Sequence, residues 1–256
     1  MARVLIPLPD RDFDVTEVAV PWRKLCDAGH EIVFATEAAG TLPRADPLLL
    51  TGVLFGQLGA EAEPKAFYDE LSKSDAFHKT IAWRDIEPEA FDALLLPGGH
   101  APGMRQYLGS ALLQEKVAAF WSLERPVAAI CHGVLVLARA RRNGRSVLFD
   151  RRTTCLPKYL ERIAWYATAW KLGRYYRTYP AYVEDEVRAA LDDPDGQFER
   201  GPIHLGARDS QENPSPAFLV EDGSYLSARW PGDAYSFAQR LIAKLEHAVP
   251  TDRRTQ

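Results

Sequence analysis

One stretch of the sequence constrains the fold more than any other, because an apolar strand passes into a helix almost without a loop. The run Val127–Ile130 is entirely apolar, Cys131-His132-Gly133 follows it, and a helical pattern begins at Val134. A strand with only apolar side chains is buried on both faces, which is typical of a parallel sheet covered by helices. The turn is therefore expected to hold Cys131 at the carboxyl end of a parallel strand, where α/β proteins form their sites.

The same alternation of apolar strands and helical patterns continues over most of the 256 residues. Strands are predicted at Val4–Leu8, Glu31–Thr36 and Leu94–Leu96, helices at Thr16–Ala28, Leu112–Leu123, Val134–Ala140 and about Asp233–His247, and a hairpin around Asp222-Gly223. Pro21 is expected to kink or shorten the first helix. The pattern predicts an α/β fold, with a doubly wound and mostly parallel sheet sandwiched by helices.

Composition and charge exclude several classes of protein. Hydrophobic residues make up 46% of the chain and the net charge is only -4, so intrinsic disorder is not expected. No run approaches the ~18 apolar residues that a membrane span needs, and the opening apolar run is too short for a signal peptide. The slightly acidic balance predicts no nucleic-acid partner. Three widely spaced cysteines fit a reducing compartment, so we expect a cytoplasmic protein.

Length and composition favour a single domain over residues 1–250, followed by a flexible tail at 251–256. A loop-rich insertion at about 38–90 is expected to cover a sheet edge or a site. A cap segment is predicted at about 156–216, and within it residues 159–182 hold eight aromatic side chains. Such density fits either a helical aromatic cap, a subunit interface or ordinary core packing.

The Cys131 turn also points to chemistry. It parallels the nucleophile elbow of hydrolases, in which a tight strand-to-helix turn exposes a reactive side chain above the sheet. Gly133 would permit close approach of the backbone, and the helix N-terminus would lower the pKa of the thiol. The alternative is a buried structural cysteine, which is common for free cysteines.

Two further features lie near the predicted sheet edge. The strand Leu94–Leu96 ends in Pro97 and the pair Gly98 and Gly99, whose N–H groups could form an oxyanion hole or simply a turn. His100 follows the glycines and is a candidate for lining the pocket. Glu17 follows the first strand, and its carboxyl would either lie near the thiol or form a capping box with Asp14.

Together these pieces resemble the ThiJ/PfpI superfamily, within the class I glutamine amidotransferase-like fold. The matching motifs occur in the right order and cover most of the chain: T-E-V-A-V-P-W, L-L-L-P-G-G-H, A-A-I-C-H-G and D-G-x-x-x-S-A-R. The length and the Cys-His-Gly elbow are similar to the longer glyoxalase/chaperone-type branch. The resemblance implies a flavodoxin-like sheet and a homodimer.

The resemblance also implies roles for individual residues. Cys131 would be the nucleophile, His132 its general base, and Glu17 the carboxyl that hydrogen-bonds the sulfur. The N–H groups of Gly99 and His132 would form the oxyanion hole. In the longer branch an acidic residue some thirty positions after the cysteine orients the histidine, and Glu161 matches that spacing.

The Glu161 match rests on its spacing and on a strand expected to end near Thr154, since Pro157-Lys158-Tyr159 departs from the small and polar residues of the family pattern. Glu161 could instead be a solvated glutamate paired with Lys158.

The function implied is that of a cofactor-independent cysteine enzyme, without a metal, that acts on small reactive carbonyls such as methylglyoxal, in the manner of glyoxalase III. Peptidase or amidase chemistry, with an acyl substrate, would use the same residues. A stress holdase with exposed aromatic surface and a thiol redox sensor are the alternatives from other classes. The predicted partner is a small molecule, with no membrane and no nucleic acid.

Overall fold

A seven-stranded sheet forms the centre of the computed structural model, which describes residues 1–203 and 206–248. The predicted tail at 251–256 lies outside the described residues. In chain order the strands are β1 Arg3–Pro7, β2 Arg11–Phe13, β3 Glu31–Thr36, β4 Arg44–Ala45, β5 Ile81–Ala82, β6 Ala93–Leu96, β7 Val127–Ile130, β8 Arg141–Arg142, β9 Arg145–Ser146, β10 Leu219–Asp222 and β11 Tyr225–Ala228.

The strand order confirms the predicted mostly parallel sheet. It runs β10-β11-β7-β6-β1-β3-β5, and every neighbouring pair is parallel except the hairpin β10–β11. Successive strands lie on one side of β1 as far as β5 and then on the other side from β6 onwards. The order therefore reverses between β1 and β6, and α/β proteins form their sites at the carboxyl edge of the sheet beside such a reversal.

Helices cover the sheet. They are α1 Val15–Asp27, α2 Pro47–Thr51, α3 Ala62–Leu71, α4 Asp75–His78, α5 Met104–Leu108, α6 Ala111–Trp121, α7 Val134–Arg139, α8 Lys158–Leu172, α9 Val183–Ala189, α10 Pro194–Gln197 and α11 Ala234–Ala248. They pack in two groups: α1 contacts α3 and α11, while α7 contacts α6 and α9. All side chains of β6 and β7 are buried, as expected for strands covered on both faces. None of the described helices has the length and apolar character of a membrane span.

The structure differs from the sequence-based expectations at two places. Helix α1 continues through Pro21 without ending there, because neighbouring turns and the packing against α3 and α11 support it. The strand expected to end near Thr154 is reduced to an isolated bridge between Thr153 and Phe198. Thr154 instead donates its N–H to the Ser227 hydroxyl of β11.

The 38–90 segment and the 156–216 segment meet over the sheet. The first contains α2, α3, α4 and the edge strand β5, which pairs with β3. Asp46 lies in this segment and accepts hydrogen bonds from the hydroxyls of Tyr175 at 3.0 Å and Tyr176 at 3.2 Å. The buried carboxyl of Asp46 thus connects the aromatic segment to the loop before α2 through two hydrogen bonds.

The arginine of the S-A-R motif fixes the passage from β11 to α11. Its guanidinium donates to both carboxylate oxygens of Asp233, at 3.0 and 2.8 Å, and both side chains are buried. Arg229 also donates to the carbonyls of Pro202 and Pro216. A buried charge needs such complete pairing. The arginine of the S-A-R motif therefore has a structural role between β11 and α11.

Candidate active site

Three candidate residues converge at the carboxyl edge of the sheet. Glu17 lies in the first turn of α1, His100 follows β6, and Cys131 follows β7. The side chains of Glu17 and Cys131 are fully buried, and that of His100 is partly exposed. The sequence-based placement of these residues at one sheet edge is therefore correct.

The backbone at Cys131 has the conformation expected of a nucleophile elbow. Its φ is 59°, a left-handed value that costs a residue with a side chain about 1–3 kcal/mol. The turn also requires glycine nearby, because a Cβ on Gly133 would lie 2.1 Å from the Leu96 carbonyl oxygen. A Cβ on Gly98 would lie 2.7 Å from the His132 nitrogen. The turn after β6 and the turn after β7 are therefore in contact at Gly98 and Gly133.

Two imidazoles flank the thiol. The Cys131 sulfur lies 3.6 Å from Nδ1 of His132 and 3.8 Å from Nε2 of His100. Burial lowers the pKa of His100 to about 4 and holds that of His132 well below its ordinary value, so both rings are neutral near pH 7. Either ring nitrogen could accept the thiol proton, and that of His132 is nearer.

The predicted low pKa of the thiol is wrong. Burial raises the pKa of Cys131 well above its usual range, and the neighbouring acids Glu17 and Asp14 further disfavour a negative charge on the sulfur. The N–H of His132 hydrogen-bonds the sulfur and opposes the shift, but it does not outweigh the loss of solvent. The resting group is a neutral thiol, which needs a base in contact to become a nucleophile.

Thr178 fixes the proton on His132. Its hydroxyl donates to the His100 carbonyl at 2.6 Å, so its oxygen is left to accept from Nε2 of His132 at 3.3 Å. The proton of the neutral imidazole is therefore on Nε2, and the lone pair of Nδ1 faces the sulfur. This is the tautomer that a general base for Cys131 requires.

Glu161 does not orient His132, which corrects the sequence-based expectation. Its carboxylate accepts hydrogen bonds from Arg177 at 2.9 Å and from the N–H of Val183 at 3.0 Å. The alternative of a solvated glutamate paired with Lys158 is also wrong, because Glu161 is only 1% exposed. The spacing argument failed because the preceding strand is absent and Arg177 holds the carboxylate on the aromatic segment.

The side chain of Glu17 lies near the thiol, as the functional interpretation expects. The capping interpretation holds only for Asp14. Asp14 caps α1 by accepting from the N–H groups of Thr16 and Glu17. The Glu17 side chain does not return the bond; its Oε2 accepts from the N–H of Gly98 at 2.7 Å. Burial raises the pKa of Glu17 well above its usual value, and a side-chain interaction with Cys131 opposes that shift. A protonated carboxyl beside the sulfur can donate a proton and, once ionised, can take one back.

The turn after β6 contains a candidate backbone donor for an oxyanion. Gly98 uses its N–H to hold Glu17, which leaves Gly99, with φ of 154°, as the other donor of the turn. Its Cβ would lie 2.9 Å from the Asp12 carbonyl, so only glycine fits. The His132 N–H points to the same sulfur.

The fold and the site can now be compared with known proteins. A sequence profile described as ThiJ/PfpI family-like matches residues 8–202, most of the chain. The chain belongs to the ThiJ/PfpI family. An uncharacterized protein of Schizosaccharomyces pombe is 29% identical, over 69% of this chain and 67% of its own length. A deglycase of Pyrococcus abyssi is 25% identical, over 95% of this chain and 99% of its own.

Solved structures agree with the ThiJ/PfpI assignment. Glyoxalase III from Candida albicans is 19% identical to this chain and has a TM-score of 0.66, over 95% of this chain and 97% of that one. At this level of identity the likeness shows the fold alone.

Sequence reasoning missed two residues of this ThiJ/PfpI site. Thr178 lies in the run Tyr175–Tyr179, where nothing marks a lone threonine as the partner of a histidine. Tyr176 makes an edge-to-face contact with His100, with ring centroids 5.8 Å apart. The aromatic density of the segment was visible, but its position over the thiol depends on long-range packing.

His100 belongs to the site. Its ring lies 4.8 Å from that of His132, centroid to centroid. The Cys131 sulfur and one ring nitrogen from each imidazole lie within 4.8 Å of one another. These are ligand atoms of the kind that soft metal ions bind.

Thr178→Val is expected to lower kcat by roughly tenfold to a hundredfold, the range for losing a group that orients a functional histidine. Valine has the shape of threonine but cannot accept from Nε2, so the tautomer that serves Cys131 loses its preference. Steady-state kinetics with methylglyoxal, the kind of substrate that the sequence resemblance implies, measure the effect. Thr178→Ser, which keeps the hydroxyl, is expected to restore most of kcat; equal losses in both variants would contradict the role.

Proposed function

We propose that this protein is a cofactor-independent cysteine enzyme that converts small reactive carbonyls, in the manner of glyoxalase III. The observation that carries the proposal is the neutral thiol of Cys131 on a left-handed turn, with the free lone pair of His132 3.6 Å from the sulfur. The buried carboxyl of Glu17 interacts with the same thiol. A nucleophile, a base and a proton carrier are the parts that this reaction needs.

The proposed reaction adds water to a 2-oxoaldehyde overall. The Cys131 thiol adds to the aldehyde carbon, its proton passes to His132, and the carbonyl oxygen takes a proton, which gives a hemithioacetal. A base removes the proton from that carbon while the neighbouring ketone oxygen takes a proton, which gives an enediol. A proton then returns at the neighbouring carbon and the hydroxyl on the sulfur-bearing carbon loses its proton, which gives a thioester. Water then cleaves the thioester, releases the 2-hydroxy acid and restores the thiol. Glu17 and His132 carry these protons, and the N–H groups of Gly99 and His132 stabilise the oxyanion.

The relatives support an enzyme of this kind. The Pyrococcus abyssi relative is named a deglycase and a structural neighbour is named glyoxalase III. All three cysteines are free, which fits the reducing cytoplasm that we propose as its location.

The decisive experiment mixes the purified protein with methylglyoxal in the absence of glutathione and follows both the loss of the dialdehyde and the formation of lactate. Equal rates of loss and formation are expected, because no atom other than those of water is added. Loss without lactate would mean simple trapping of the aldehyde by surface amines and would contradict the proposal.

Amidase or peptidase chemistry is the nearest alternative, because an acyl-enzyme on Cys131 would use the same oxyanion donors. It predicts hydrolysis of amide substrates in place of lactate formation. The glyoxalase III-like reading is favoured by Glu17, whose buried carboxyl can move the second proton that the aldehyde reaction needs and amide hydrolysis does not.

The exposed aromatic side chains favour an assembly and offer a second function. Phe55 is 82% exposed and stacks on Trp170, which is 68% exposed, with ring centroids 6.3 Å apart; Tyr166 is 60% exposed. We propose a homodimer that covers part of this surface, which light scattering would detect as about twice the 28.7 kDa of the chain. The same surface could bind unfolded clients in a stress holdase.

A further inference from the structure

An apolar cavity adjoins the candidate active site and has no role in the chemistry described so far. Its volume is about 330 Å³. Helix α8, the loop after α2 and the segment after β11 form its walls. Its principal apolar lining residues are Val53, Leu58, Leu160, Ile163, Ala164 and Trp230.

Apart from His100, the polar side chains on these walls have partners within the protein. Asp14 accepts from the N–H groups that it caps, and Arg208 lies 3.9 Å from a Glu61 carboxylate oxygen. The hydroxyl of Thr168 donates to the carbonyl of Ala164 at 2.7 Å, within its own helix. The hydroxyl of Tyr176 donates to Asp46 at 3.2 Å. The hydroxyls of Thr168 and Tyr176 therefore form their hydrogen bonds within the protein, and a ligand in the cavity would contact the apolar parts of these side chains.

His100 joins the cavity to the thiol. Its ring lines the cavity, and its Nε2 lies 3.8 Å from the Cys131 sulfur. A chain held in the cavity with its polar end at His100 would thus end within one ring's width of the nucleophile. The apolar walls and the reactive sulfur therefore lie on two sides of the same imidazole.

We propose that this cavity binds the apolar part of the substrate, so that the preferred substrate is a reactive carbonyl carrying a hydrocarbon chain or an aromatic ring. The inference rests on the proposed function, because it names the substrate class of the same thiol. Methylglyoxal has only a methyl group to place there and would leave most of the cavity unfilled. Each further methylene that leaves water is expected to raise kcat/KM about fourfold.

Turnover of a series of 2-oxoaldehydes tests the proposal. The value of kcat/KM is expected to increase from methylglyoxal to phenylglyoxal and 2-oxooctanal, by roughly a hundredfold or more in total. Ile163→Asp places a carboxylate in the cavity wall at a position already 49% exposed, so the helix tolerates it. It is expected to lower kcat/KM for 2-oxooctanal at least roughly tenfold more than kcat/KM for methylglyoxal.

Tyr166→Asp is the matched control, because it adds the same charge to the same helix at an exposed position that does not line the cavity. Binding is measured separately by titrating octan-2-one into the protein in a calorimeter. One molecule is expected to bind per chain, at least roughly tenfold more weakly in Ile163→Asp and equally well in Tyr166→Asp.

The outcomes separate the two levels of the proposal. Equal kcat/KM for methylglyoxal and 2-oxooctanal would overturn the inference and leave the proposed function standing. No turnover of any aldehyde would overturn the proposed function, and the substrate class with it, even where octan-2-one binds. If Ile163→Asp changed the mass in light scattering but not the binding of octan-2-one, a second copy would be the occupant and the inference would be wrong.

Discussion

Cys131→Ser is expected to lower the turnover of methylglyoxal by at least roughly 10³-fold, as losses of a catalytic nucleophile do. A serine hydroxyl in the same place has a far higher pKa than a thiol, and the neutral His132 beside it is too weak a base to remove that proton. The fold is expected to be unchanged, because serine fills nearly the same volume and meets the same left-handed backbone. Lactate formation measures activity, and thermal unfolding measures integrity.

Cys26→Ser serves as the control, since Cys26 is exposed and lies away from the site. It is expected to keep full turnover. A holdase would behave differently, because Cys131→Ser would then continue to suppress the aggregation of a client protein. Full lactate formation by Cys131→Ser would refute the assignment of the nucleophile.

Glu17→Gln is expected to lower kcat by roughly 10²–10⁴-fold, the range for lost acid–base assistance. Glutamine keeps the acceptor for the Gly98 N–H but cannot exchange a proton with the substrate or the sulfur. Asp14 continues to cap α1, so the free energy of unfolding is expected to change little. Steady-state kinetics and chemical denaturation provide the two measurements.

Glu161→Gln is a matched control, because it makes the same substitution at another buried glutamate. The change weakens the ion pair with Arg177 and is expected to lower the free energy of unfolding by roughly 1–3 kcal/mol, with kcat nearly unchanged. If Glu161→Gln and Glu17→Gln lost activity equally, the proton-transfer role of Glu17 would be refuted and burial alone would explain both.

The sequence predicts the elements that short-range rules control. The strand Val127–Ile130 has the predicted bounds, and the predicted tight strand-to-helix turn follows it at Cys131. The glycines of both loops mark close backbone contacts that any side chain would block. Motif order and periodicity therefore suffice for the sheet and the elbow, but they left Glu17 open between a place near the thiol and a capping box.

The sequence could not identify the residue that hydrogen-bonds the His132 ring. Glu161 and Thr178 both lie in the aromatic segment, and chain spacing cannot distinguish which of them faces the ring. The choice depends on how α8 and its following loop pack, and Arg177 decides it by binding the Glu161 carboxylate. The pKa of Cys131 was misjudged for a related reason: the sequence shows the helix behind the thiol but not the cover above it.

The covered, uncharged state of the Cys131 thiol has a consequence for the working life of the protein. Peroxides attack thiolates that solvent can reach, and oxidation beyond the sulfenic stage is irreversible for most proteins. A sulfur that becomes an anion only when a substrate lies beside its base presents little target between turnovers. This chemistry favours a durable catalyst over a thiol redox sensor, and it suits a cell in which reactive aldehydes and oxidants arise together.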